Sequence, residues 1–68
     1  MRYNIIRWDL TASPRPELLT DVWEPTKKRA IQTLKNDSYP NERGIIIDFK
    51  YNMLIAELKS KKITLYQP

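Results

Sequence analysis

The chain contains no cysteine, no histidine and only one glycine. Each absence removes a class of chemistry. Without thiol or imidazole there is no thiolate nucleophile, no imidazole base and no ordinary zinc site. One glycine cannot build a P-loop or a dinucleotide-binding turn, since both need several. The carboxylates Asp9, Glu17, Asp21, Glu24, Asp37, Glu42, Asp48 and Glu57 have no calcium-loop spacing. Acid–base catalysis by a carboxylate pair stays open, but nothing singles out a pair. The sequence therefore assigns no catalytic residue, no metal ligand and no cofactor, and points away from most metabolic enzymes.

Long hydrophobic runs are missing as well. The longest are Ile45-Ile46-Ile47 and Met53 to Ala56, far below the ~20 residues of a membrane span. Arg2, Asn4, Arg7 and Asp9 interrupt the first ten residues, so they do not read as a secretory signal. A soluble, cytoplasmic protein without membrane contact is the expectation. With neither disulfide nor metal available as a staple, the core must come from apolar side chains or from a partner subunit.

Those side chains are present. Apolar residues make up 41% of the 68 positions, which is too apolar for disorder and sufficient for one domain spanning residues 1–68. The net charge of +4 is uneven. Residues 1–25 carry three basic and four acidic groups, a balance of −1; residues 26–68 carry nine and four, a balance of +5. A basic half points to an acidic macromolecular partner, either a protein complex or RNA/DNA. Its ordinary alternative is a solvated surface.

Residues 2–10 alternate Tyr3 and Ile5 against Ile6, Trp8 and Leu10, which predicts a strand apolar on both faces and hence an inner one. Ser13-Pro14 and Pro16 then break the chain, and Ser13 reads as a helix N-cap. Leu18, Leu19, Val22 and Trp23 at i, i+1, i+4, i+5 describe one face of a helix. A competing reading makes residues 18–23 a second strand paired with the first. Pro25 interrupts. Beyond it Ala30, Ile31 and Leu34 form an apolar stripe, with Lys28, Arg29, Gln32 and Lys35 toward solvent.

Residues 36–43 are rich in turn formers and read as a loop. Three strands follow: Ile45, Ile47 and Phe49 against Ile46, Asp48 and Lys50; then Met53 to Lys59; then Ile63 to Tyr66. The expected fold class is α+β, in the order β-α(α)-β-β-β: an antiparallel meander with helices packed on one face.

Basic and aromatic residues supply the candidate partner- or nucleic-acid-binding positions. Lys27, Lys28 and Arg29 open the second helix, Lys35 follows nearly two turns on, and Lys59, Lys61 and Lys62 flank a turn. Such cations can neutralise phosphates. Each group can equally be the solvated side of its element. Tyr39 and Tyr51 lie in expected turns and are the aromatics best placed for a surface role, whereas Trp8 and Trp23 are expected in the core.

The stretch Ile31-Gln32-Thr33-Leu34-Lys35-Asn36-Asp37-Ser38-Tyr39-Pro40, with Tyr51 to Glu57 and Lys62 to Leu65, resembles RelE/ParE-type toxins over residues 26–66. The resemblance implies a first strand, a helical pair and a meander. It also implies a metal-free ribosome-dependent mRNA endonuclease or gyrase inhibitor. Where that family carries Arg after the strand's Tyr, this chain has Asn52, and the basic, aromatic C-terminal segment has no counterpart. No catalytic residue is transferred. The leading expectation is thus a small non-enzymatic regulator or accessory factor working through its basic surface. A diverged toxin and a self-assembling subunit, for instance a homodimer paired through a strand edge, are the alternatives.

Overall fold

The computed structural model describes residues 1–36 and 40–66. They form β1 (Tyr3–Asp9), β2 (Glu17–Glu24), α1 (Lys27–Lys35), β3 (Glu42–Asp48), β4 (Met53–Lys59) and β5 (Lys62–Leu65). The five strands make one sheet in the order β2-β1-β3-β4-β5, and every neighbouring pair is antiparallel. This corrects the α+β expectation with packed helices: the fold is mainly β, with a single nine-residue helix among the described residues.

The correction lies at residues 17–24. They pair along β1 instead of forming a first helix, as the competing reading had it. Arg7 faces Thr20 while Trp8 faces Leu18, so Leu19 is an extra residue, a β-bulge. That insertion breaks the period of two and spaces Leu18, Leu19, Val22 and Trp23 like a helix face. Ser13 lies in the bend before β2 and caps nothing. Pro25 separates a strand from a helix, and the N-cap is Thr26, whose hydroxyl accepts from the Arg29 amide at 3.2 Å. The two termini of β2 and α1 are drawn together at Glu24, which accepts from the Thr33 hydroxyl at 2.8 Å.

Residues opposite each other in a sheet share a face, and Gly44 identifies the one under α1. A Cβ built there would lie 2.5 Å from Leu34 Cδ1. Glycine lets the helix approach β3 that closely. Tyr3 and Ile5 of β1, Ile46 of β3, and Ala56 and Leu58 of β4 lie on this side, closing a core with Ala30 and Leu34 of α1. Ile55, the extra residue of a second bulge in β4, is buried there too.

One half-buried cation ties the layers together. Arg7 Nε sits 3.1 Å from Glu42 Oε1. The same guanidinium donates to the Leu34 and Asn36 carbonyls at the end of α1 and to Thr20 Oγ1 of β2. The expectation that Trp8 and Trp23 are core is corrected as well. Neither belongs to the buried cluster, and Trp23 is exposed against Phe49, their ring centroids 5.0 Å apart. Among the described residues no helix is long and apolar enough to cross a membrane.

Candidate functional site

With α1 on one side, none of the described helices or strands covers the other side of the sheet. Cross-strand register lays that open face out in rows. The first reads Trp23, Asn4, Ile47, Leu54 from β2 to β4, with Phe49 beyond Ile47. The second reads Asp21, Ile6, Ile45, Glu57, Thr64. The third reads Leu18, Trp8, Arg43, Lys59, Lys62.

This face is apolar across its middle and wet at its margins. Leu18 is 60% exposed, Leu54 42% and Phe49 47%, while Ile6, Trp8, Ile45 and Ile47 are half-buried by their neighbours. A contiguous apolar patch on so small a chain is the signature of an interaction surface, because scattered apolar residues need no explanation but grouped ones do. Its polar members are occupied: Asn4 donates to Asp21 at 2.9 Å and to the Val22 carbonyl at 3.1 Å.

The third row adds charge. Arg43 stands opposite Lys59, and Lys59 opposite Lys62. Like charges directly opposite destabilise a sheet. Among the described residues no carboxylate pairs with any of the three. The like charges of this corner work against the fold, and no carboxylate among the described residues offsets them.

The expected site residues divide between the two ends of the molecule. Lys59 and Lys62 meet at the corner, and Lys61 lies beside them in the two-residue turn. Lys27 lies at the other end of the sheet, where it lines a cavity with Tyr51, Asp48 and Met53. The six steps from Met53 to Lys59 span roughly 20 Å at strand rise, so the two basic groups do not form one surface. Lys28 and Arg29 are exposed on α1, Arg29 at 3.6 Å from Glu24. Lys35 is exposed in the last helical turn. Tyr39 lies outside the described residues.

No family model, no curated protein and no solved structure matches this chain. Function must be argued from the site itself.

Sequence reading missed Trp8, Trp23 and Arg43 as surface residues. One signal could have found them. Ile45, Ile46 and Ile47 make β3 apolar on both faces, and β1 repeats the pattern. With one short helix to cover one face, the other must stay bare. Among the described residues no cluster of three potential metal ligands occurs.

Proposed function

We propose that this chain is a non-enzymatic binding module that takes an acidic amphipathic helix of a partner protein across the open face of its sheet. The carrying observation is that face: apolar across its middle and cationic at one corner, with none of the described elements upon it. Apolar side chains there favour protein over nucleic acid. Bases stack on aromatic rings, and this face has three, Trp8, Trp23 and Phe49, but the aliphatic Leu18, Ile6, Ile45, Ile47 and Leu54 outnumber them. Arg43, Lys59 and Lys62 ask for carboxylates on the partner.

The dimensions suit a helix. Five strands about 4.8 Å apart make a face roughly 19 Å wide, and a helix is about 10 Å across. α1 already shows one helix seated on the opposite side of the same sheet. Strand addition at an edge is the less suitable mode. β2 is bulged and carries Glu17, Asp21 and Glu24, and β5 has four residues beginning with Lys62; bulges, charges and shortness are how edges avoid pairing.

The test is an amide-resolved NMR titration with a synthetic amphipathic helix bearing leucines on one face and glutamates along its flanks. Saturable shifts confined to the open face, weakened by salt, are expected. Lys59→Glu separates the roles of the corner. It should raise fold stability by about 0.2–1 kcal/mol, since an anion then sits between Arg43 and Lys62, while weakening the peptide. Tighter binding of oligouridylate at the same amides would replace the protein partner by nucleic acid. A sedimentation mass of two chains with this face protected would replace it by a second copy. Growth arrest on induced expression, with cleaved mRNA, would restore the toxin reading.

A further inference from the structure

On the helix side, at the end of the sheet away from the cationic corner, lies a cavity of about 140 Å³. Arg2, Lys27, Tyr51 and Tyr66 line it, over a floor of Met53 and Ile55. Its one carboxylate is fully engaged. Asp48 Oδ1 accepts from Arg2 Nε at 2.8 Å and from the Lys50 amide at 3.0 Å, and Oδ2 accepts from Arg2 Nη2 at 2.8 Å. Asp48 therefore acts as a mount for Arg2 and leaves its Nη1 free to donate.

The guanidinium is also held by rings. Its carbon lies 5.0 Å from the Tyr3 centroid and 5.2 Å from that of Tyr51, within cation–π reach. A fork fixed on two sides loses little freedom on meeting a ligand. Lys27 is the second cation. It is half-buried, and among the described residues it has no hydrogen-bonding or ion-pairing partner. Its ammonium is not among the buried atoms without a partner, so it keeps contact with water and is available to an anion. Arg2 and Lys27 against Asp48 leave the cavity one positive charge in excess, and Lys50, 5.4 Å from the Tyr51 ring, adds to it.

We propose that this cavity binds a single-ring aromatic anion, a six-membered ring carrying one phosphate or carboxylate group. Tyrosine walls and an apolar floor receive the ring, and Arg2 Nη1 and Lys27 Nζ receive the anionic group. Size favours one ring, since a volume of about 140 Å³ matches that of a benzene-binding cavity. The site is independent of the open face and stands or falls separately from it.

An amide-resolved NMR titration with phenyl phosphate, benzoate, phenol and inorganic phosphate tests it. Saturable shifts at Lys27, Lys50 and Tyr51 with phenyl phosphate or benzoate are expected, and whichever binds tighter names the anionic group. Phenol and inorganic phosphate should each bind at least roughly tenfold more weakly, because each offers half of the recognition. Lys27→Gln should weaken the anion about tenfold with an unchanged Tm, and Lys27→Arg should retain it. The proposal is overturned by linear, unsaturable shifts with both aromatic anions. Inorganic phosphate binding as tightly as phenyl phosphate, or shifts spread equally over Lys59 to Lys62, would overturn it too.

Discussion

At the scale of single residues, Gly44 and Leu34 share a space that one methyl group would overfill. A Cβ at position 44 meets Leu34 Cδ1 at 2.5 Å, the Ile6 carbonyl oxygen at 3.2 Å and Arg7 Cγ at 3.3 Å. Leu34 is wholly buried, so moving it aside disturbs the core around it. Gly44→Ala should therefore cost about 1–3 kcal/mol in urea unfolding. Trimming Leu34 to Ala in the same chain should remove most of that added cost, which a double-mutant cycle reads directly.

Asp48 makes a second residue-scale prediction. Hydrogen bonds from Arg2, then from the Lys50 amide, hold its carboxyl below the ordinary value; the Thr11 hydroxyl and amide, then Asn41, do the same for Asp9. A carboxyl depressed in the folded state contributes stability above its unfolded pKa, and that contribution is lost as pH falls through the folded value. The urea midpoint should be flat from about pH 8 to 5, as no histidine titrates there, and fall below about pH 4. Asp48→Asn should be less stable near neutrality and lose less on acidification. None of these roles was legible in the sequence, because Gly44, Arg7 and Asp48 act through partners 10, 35 and 46 positions away.

At the scale of elements, legibility followed local pattern. The strand of β1 and its inner position, the stripe of Ala30, Ile31 and Leu34 and the alternation in β3 could be read because each repeats a period without interruption, and the bounds of β4, bulged at Ile55, could be read from the turns on either side of it. β2 could not, because the bulge at Leu19 makes a strand imitate helical spacing. The β4–β5 turn carries its own conflict. Ser60 and Lys61 both adopt positive φ, 50° and 66°, the left-handed region of a two-residue primed hairpin turn that favours Asn-Gly. Lys61→Gly should thus stabilise the hairpin by roughly 1 kcal/mol, measured as a rise in Tm. Hydrogen exchange should rank the strands as well. β2 and β5 lie at the edges with every residue exposed or half-exposed, while β1 and β3 lie inside the sheet, so β2 and β5 amides should exchange before those of β1 and β3.

At the scale of the molecule, the fold is two layers where the apolar pattern provides for three. One helix closes one side of the sheet, and the other side keeps Leu18, Trp23, Phe49 and Leu54 in water beside a corner of unpaired cations. The core could be anticipated from composition, but the empty side could not be seen until strand order placed β1 and β3 at the centre. If that side is a working surface, its exposed residues contribute to binding and not to folding. The double variant Leu18→Glu with Leu54→Glu tests this directly, read by urea unfolding and by titration with the acidic amphipathic helix. Stability should stay within about 0.5 kcal/mol per substitution, and peptide binding should fall by at least roughly tenfold. A variant that unfolds, or one that binds the helix as the parent does, would contradict the account.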